Sequence, residues 1–202
     1  MRVSKILPVG FASNSYILTA DGRTAVVIDP SEKRILKILK ENGLSCKYVL
    51  LTHGHFDHVG ACGELFSIGA SICCNEREKD LIFIKEYLNI FGGVTVPEFE
   101  ICRTFKDGEE ITLCGINFKV LETPGHTVGS VCYVSGDMIF TGDTLFCGSV
   151  GRWDLPTGNF TELSKSVKRL AALYGDYKIY AGHGEDTTLS RERAYNPYIR
   201  ND

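Results

Sequence analysis

The stretch Thr-His-Gly-His-Phe-Asp-His at residues 52–58 (THGHFDH) dominates the interpretation, because it places three imidazoles and one carboxylate within six consecutive positions. It follows the apolar run KYVLLT, which predicts a buried strand, so the cluster lies on the loop at that strand's C-terminal end. Alternate residues of an extended loop project to the same side, so His53 and His55 can bind one ion together. Asp57 and His58 then face a position next to that ion. Such sets of histidine and carboxylate are typical of sites for divalent first-row metals.

Three further candidate ligands lie far along the chain, and each directly follows a glycine and a short strand-like run: His126, Asp143 and His183. Glycine lets the backbone turn sharply enough to direct the next side chain into a shared site. We therefore expect three strand ends to converge on the first cluster. The predicted metal ligands are His53, His55, Asp57, His58, His126, Asp143 and His183.

The order of apolar runs predicts an α/β protein. Ser15–Thr19 and Thr24–Ile28 are β-branched runs separated by Asp-Gly, which predicts a hairpin. Helical spacing is predicted over 59–66 and 76–91, a series of short strands follows, and the last third returns to a helix and a strand. Two sheet-plus-helix halves account for this order. The expected architecture is a single domain over 1–202, folded as a four-layer α/β/β/α sandwich.

Composition narrows the classes of function. The net charge of −3 provides no large basic surface, so nucleic-acid binding is not expected. No run approaches the roughly 18 apolar residues of a membrane span, and no signal peptide is expected at the start. The eight cysteines include no Cys-x-x-Cys pair, which disfavours thiolate zinc fingers and thioredoxin chemistry. A disulfide framework is not expected in a chain of this length without an export signal. We expect a cytoplasmic protein with free thiols.

Taken together, these motifs resemble the metallo-β-lactamase superfamily, whose signature is H-x-H-x-D-H followed by a distant His, an Asp and a final His. Within it the sequence is most similar to the glyoxalase II group of hydroxyacylglutathione hydrolases, particularly the short bacterial members. The supporting stretches are TPGHTVGSVCY (123–133), FTGDTLFCGSVGRWDLPTG (140–158) and AGHGEDT (181–187). The resemblance implies that His53, His55 and His126 bind one metal, that Asp57, His58 and His183 bind another, and that Asp143 bridges them.

The resemblance also implies a reaction. Two divalent ions, with zinc expected and iron or manganese also suited, would generate a metal-bridging hydroxide that hydrolyses a small-molecule thioester. A thiolate leaving group needs little protonation, so no general acid is required. Asp57 is the candidate catalytic residue, orienting the hydroxide while it ligates a metal. Arg152 is either a contact for an anionic substrate such as glutathione or a surface arginine paired with Asp154. Asp29 either lies at a helix N-cap or turn, or is a hydrogen-bond partner of the motif loop or of a ligand imidazole.

Two departures leave the substrate open. Full-length glyoxalase II has an additional C-terminal helical region that contacts glutathione, and most of it has no counterpart before Asp202. The aromatic residue usual after the last metal histidine is replaced by Gly-Glu-Asp at 184–186. We therefore expect thioester hydrolysis, with the acyl group, the thiol carrier and the oligomeric state unassigned.

An oxidoreductase is the alternative. Persulfide dioxygenases share this fold and the Gly-Arg-x-Asp stretch at 151–154, and they bind one iron through the residues that match His53, His126 and Asp143. A secreted β-lactamase, a processing nuclease and a flavodiiron-type electron carrier are disfavoured by the expected absence of a signal peptide, a basic exosite and a flavin domain.

Overall fold

A computed structural model describes residues 1–83 and 98–200, in which two six-stranded mixed sheets pack face to face. The first sheet has its strands in chain order, antiparallel from the first to the third and parallel from the third to the sixth. Its strands are β1 (Arg2–Ile6), β2 (Ser15–Thr19), β3 (Thr24–Ile28), β4 (Ser45–Leu50), β5 (Ser71–Asn75) and β6 (Ile101–Phe105). The predicted hairpin is confirmed, because β2 and β3 pair antiparallel.

The second sheet runs in the order β12-β11-β10-β9-β8-β7, and only its β10–β11 pair is parallel. Its strands are β7 (Glu110–Leu113), β8 (Ile116–Glu122), β9 (Val131–Ser135), β10 (Met138–Gly142), β11 (Lys178–Ala181) and β12 (Thr187–Thr188). The ligand segments at 126, 143 and 183 therefore follow β8, β10 and β11.

Helices cover the outer face of each sheet. They are α1 (Arg34–Glu41), α2 (Phe56–Val59), α3 (Cys62–Ser67), α4 (Phe160–Ala171), α5 (Leu189–Tyr195) and α6 (Pro197–Arg200). Strand residues alternate between two cores: Tyr16 and Leu18 of β2 point into the core between the sheets, whereas Ile17 packs towards α1 and α3. A third core lies between the second sheet and α4. The predicted four-layer α/β/β/α sandwich is confirmed.

One predicted helix is wrong in its bounds. Instead of a single helix over 59–66, the chain forms the separate helices α2 and α3, because tertiary contacts take the hydrogen-bonding groups that would join them. The carbonyl of Asp57 accepts the Ser13 N–H at 3.1 Å, and the Ala61 N–H donates to the Pro30 carbonyl at 2.8 Å. The break leaves Asp57 and His58 on a short helix that is fixed from both sides.

One further prediction meets the structure only in part. The helix expected over 76–91 is a series of turns as far as Phe83, and its remaining residues lie outside the described ones. The eight cysteines are free thiols, as expected. No helix in the described ranges is long and apolar enough to cross a membrane.

Candidate metal centre

Three imidazoles converge at one edge of the sandwich. His53 and His55 lie on the loop after β4 of the first sheet, and His126 lies on the loop after β8 of the second sheet. The Nε2 atom of His53 lies 3.0 Å from Nδ1 of His55 and 3.1 Å from Nε2 of His126. The third pair, His55 Nδ1 and His126 Nε2, is 2.8 Å apart. Four-coordinate zinc, with Zn–N bonds of about 2.0–2.1 Å, separates its nitrogen ligands by about 3.3 Å, so this spacing is close to that of a ligand set. We call these residues the first triad.

The surroundings of the first triad keep its imidazoles neutral and oriented. Nδ1 of His126 lies 2.7 Å from the backbone carbonyl of Arg152, so it carries the proton and leaves Nε2 with its lone pair. Burial lowers the pKa of all three rings, that of His55 to about 3. A neutral imidazole is the form that ligates a metal.

A second cluster consists of Asp57, His58 and His183, which we call the second triad. Nε2 of His183 is 3.2 Å from the Asp57 carboxylate, and Nε2 of His58 is 3.8 Å from it. His58 is fully buried, whereas the His183 side chain is 36% exposed. Burial would lower the pKa of His58, but the carboxylates of Asp143, Asp29 and Asp57 outweigh it and raise that pKa well above its usual range. A proton on His58 thus compensates several carboxylates, which is a role that a metal cation can take over.

Asp143 lies between the two triads. Its Oδ1 atom is 3.3 Å from Nε2 of His58, and its Oδ2 atom is 3.6 Å from Nε2 of His126 and 3.5 Å from that of His183. Burial alone would raise the pKa of Asp143, but the neighbouring imidazoles hold it well below its usual range. An ionised carboxylate with one face towards each triad has the position of a bridging ligand.

Orphaned polar atoms show that these residues fit a metal. Nε2 of His58 and Oδ1 of Asp143 are both buried and lie 3.3 Å apart, but neither makes a hydrogen bond of normal geometry in the described part of the chain. Buried polar atoms are normally paired, and an unpaired one calls for a specific explanation. A metal cation that takes the place of the His58 proton, beside several other potential ligand atoms, accounts for both atoms.

Asp29 fixes the loop that carries the motif. Its Oδ1 accepts the Thr52 N–H at 2.8 Å, and its Oδ2 accepts the Thr52 hydroxyl at 2.6 Å. Oδ2 also lies 2.9 Å from Nδ1 of His58, which leaves Nε2 of that ring for a metal. Asp29 has a positive φ of 49°, a backbone conformation that costs energy outside glycine. It is not a helix cap, because α1 begins five residues later, at Arg34.

Gly182 shows why glycines precede the ligands of the second half. A Cβ atom at this position would overlap with Oδ1 of Asp143 and crowd the ring of His58. Its backbone also joins two neighbouring segments, since its N–H donates to the Gly142 carbonyl at 2.8 Å and its carbonyl accepts the Asn14 N–H at 2.7 Å. The absent side chain lets His183 approach the other ligands.

A cavity of about 300 Å³ opens onto both triads. Its walls are largely apolar, and its floor is formed by His55, Asp57, His126, Asp143 and His183. The apolar lining residues are Phe11, Phe56, Phe146, Val150 and Leu155. Arg152 also lines the cavity, but its guanidinium makes two hydrogen bonds of 2.9 Å to the carboxylate of Asp154. Both predicted alternatives therefore remain open, because Arg152 borders the cavity and is also paired with Asp154.

Glu78 is a buried residue near the centre that the sequence did not predict. Its side chain is fully buried behind the first triad and accepts hydrogen bonds from the loops on either side. Burial raises its pKa to about 7, although these hydrogen bonds oppose the shift. The surrounding stretch Glu-Arg-Glu-Lys at 76–79 has the composition of a solvated turn, so no local signal marks this residue.

Comparisons with known proteins define the class. Residues 8–183 match the family model of the metallo-beta-lactamase superfamily, and the chain belongs to that superfamily, as the motifs predicted. Among individual relatives, the hydroxyacylglutathione hydrolase GloC of Haemophilus influenzae is 38% identical, over 96% of this chain and 97% of that protein.

Several solved structures have a similar fold over nearly the whole chain. The BLEG-1 B3 metallo-beta-lactamase has a TM-score of 0.92 at 28% identity, covering 99% of this chain and 100% of that one. TTHA1623, solved in a di-iron-bound form, has a TM-score of 0.84 at 32% identity, covering 96% and 99%. ETHE1 from Myxococcus xanthus has a TM-score of 0.80 at 28% identity, covering 98% of this chain and 84% of that one.

Proposed function

We propose that this chain is a metal-dependent thioesterase of the hydroxyacylglutathione hydrolase type that binds two divalent ions, most simply zinc. The observation that carries the proposal is the pair of triads joined by Asp143 at the floor of one apolar cavity. The similarity to GloC over nearly the whole of both chains supports the thioesterase assignment.

The division of labour follows from the contacts of each residue. Two ions bound there would supply a water of lowered pKa and polarise the substrate carbonyl. Asp57 borders the cavity with its carboxylate 3.2 Å from Nε2 of His183, so it is placed to accept a proton from a water and to orient it. Burial raises the pKa of Asp57, but His58 and His183 outweigh this and lower it, so the carboxylate is ionised at neutral pH.

Substrate enters from the apolar side. The cavity walls exclude water around the scissile bond, which strengthens electrostatic interactions within the site. Arg152 lines the rim of the cavity, so its guanidinium is the candidate contact for an anionic thiol carrier. A departing thiolate is a weak base, and it leaves without a dedicated acid.

The experiment is metal analysis coupled to a thioester screen on the full chain. S-lactoylglutathione is compared with thioesters of other thiols and with a chromogenic β-lactam, before and after chelation. We expect about two ions per chain, and thioesterase activity that is lost on chelation and restored by zinc, manganese or iron. A fully metallated protein that hydrolyses no thioester in the panel contradicts the proposal, whatever it does to the β-lactam.

The alternative is a mononuclear iron persulfide dioxygenase. Nε2 of His126 lies 3.1 Å from Nε2 of His53 and 3.6 Å from Oδ2 of Asp143. Two histidines and a carboxylate form the ligand set of many non-haem iron oxygenases. The likeness to ETHE1 also supports this alternative. About one iron per chain, with oxygen consumed when a persulfide is added, would favour it over the thioesterase.

A further inference from the structure

We propose that Glu78 is a positioning residue for the first triad, and that its carboxylate holds together the two loops on which His53, His55 and His126 lie. This inference rests on the metal centre proposed above.

The hydrogen bonds of Glu78 join two separate parts of the chain. Its Oε1 accepts the N–H of Gly54 at 2.9 Å. Its Oε2 accepts the N–H of Gly129 at 3.0 Å and the hydroxyl of Thr127 at 2.9 Å. Glu78 itself lies in the turn after β5, outside both loops, with none of its side chain exposed. One carboxylate therefore fixes the motif loop against the loop that follows β8.

Two of the three donors are sequence neighbours of ligands in the first triad, and the third, Gly129, lies three residues after His126. Gly54 is the residue between His53 and His55, and Thr127 directly follows His126. The distance between the two loops sets the separation of their imidazoles, and ligand geometry tolerates errors of only about 0.5 Å. The second triad depends on other contacts, because the His58 ring is held by Asp29.

Close packing makes this arrangement specific to a carboxylate. A Cβ atom on Gly129 would overlap with both the backbone and the side chain of Glu78, so the loop lies directly on this residue. Glutamine has nearly the same shape, but one of its two terminal atoms is a donor. Whichever way it turns, its amide faces the N–H of Gly54 or that of Gly129. Two donors then meet in a buried place, and one loop has to move away.

The test is the zinc affinity of the first triad in the full chain. A His183→Ala background disables the second triad, so that chelator competition reports the first. Glu78→Gln is compared with Glu192→Gln in this background. Glu192 is a matched control, because it is equally buried and accepts the Gly148 N–H at 2.8 Å and the Thr187 hydroxyl at 2.6 Å, with no ligand beside either donor.

We expect Glu78→Gln to weaken zinc binding by about 10–100-fold, the usual cost of losing a group that holds metal ligands in place. Glu192→Gln should change it by no more than about twofold. Both should lower the melting temperature of the metal-free protein, since both leave a buried donor unpaired. If the two variants weaken zinc binding equally, Glu78 has only a structural role and the inference is wrong.

A milder pair covers the case in which a glutamine variant does not fold. Thr127→Val and Thr187→Val each remove one hydroxyl donor from one of the two buried carboxylates at nearly constant volume. Only Thr127→Val should weaken zinc binding, and equal effects would again overturn the inference. A parent chain that binds no zinc contradicts the metal centre itself, which is a different outcome from binding that is insensitive to Glu78.

Discussion

The two triads of the centre differ in how firmly the fold holds them. The first triad consists of three buried imidazoles, of which His55 and His126 also border the cavity floor. A backbone carbonyl orients His126, and the Glu78 carboxylate binds the loops on either side. In the second, Asp57 and the partly exposed His183 face the cavity, and only His58 is buried and fixed, by Asp29. Closed ligand sets are typical of metals that are retained, and open ones of metals that exchange ligands with substrate. The difference indicates one anchoring position and one reactive position.

The strongest way to break this comparison is to remove the residue that the triads share. Asp143→Ala deletes the carboxylate that lies between His58, His126 and His183. We expect the metal content to fall below one ion per chain and thioesterase activity to fall on the order of 10³-fold or more, since charge stabilisation worth several kcal/mol is lost. Metal analysis and steady-state kinetics measure both. Asp154→Ala, which removes an exposed carboxylate nearby, should keep both ions. Retention of two ions by Asp143→Ala would show that Asp143 does not bridge.

Sequence alone predicted the side chains that converge on this centre and, in Asp29, one of the groups that hold them, but not the other. The motif stretch is contiguous, so local spacing was enough to group its side chains, and the glycines before His126, Asp143 and His183 indicated where the later strands end. The break between α2 and α3 was not predictable, because it depends on hydrogen bonds from Ser13 and to Pro30, which only the folded chain brings close. Glu78 was missed for the same reason. A charged residue in a polar turn has no periodicity that would show it to be buried.

A second prediction concerns Glu78, beside the first triad, and the pH dependence of its contribution to the free energy of unfolding. Burial raises the pKa of Glu78 from 4.5 to about 7, so between these values the folded state binds more protons than the unfolded state. The stabilisation from Glu78 is therefore complete below about pH 4.5 and is lost as pH rises to about 7. The shift corresponds to on the order of 3 kcal/mol of unfolding free energy.

Urea unfolding of the metal-free protein at pH 5 and pH 8 measures this effect. The difference in unfolding free energy between the parent and Glu78→Gln should shift by that amount in favour of the parent at the lower pH. Other titrating groups are common to both chains and cancel. Parallel pH dependences would mean that the carboxyl is ionised throughout the range.

Asp29→Asn tests the second triad in the way that Glu78→Gln tests the first. An asparagine that accepts the Thr52 N–H has to turn its amide towards Nδ1 of His58, where Asp29 now offers an oxygen. The ring would then carry its proton on Nε2, the atom that faces Asp143. We expect about 10–100-fold weaker binding at the second triad. The loss at the first triad should be smaller, and it arises because Asp29 also holds Thr52, whose hydroxyl lies 3.2 Å from Nδ1 of His53.

Stepwise zinc titration separates the two positions. The weaker step should be lost in Asp29→Asn, as it should be in His183→Ala, whereas Glu78→Gln should affect the tighter step. If Asp29→Asn weakens both steps alike, the triads do not act as separate units.

The smallest expected effect concerns Arg152, whose backbone contacts the first triad and whose side chain lines the cavity. Its backbone carbonyl orients the buried ring of His126, whereas its exposed guanidinium is held by Asp154 at the cavity rim. Removing the side chain leaves the backbone contact in place, so Arg152→Ala should retain both ions and its kcat. Exposed ion pairs are worth about 0.2–1 kcal/mol, so KM for an anionic thioester should rise by no more than about fivefold. Asp154→Ala, which frees the guanidinium, should lower that KM, and neither variant should change KM for an uncharged thioester. Equal changes for charged and uncharged substrates would show that Arg152 shapes the cavity and does not recognise charge.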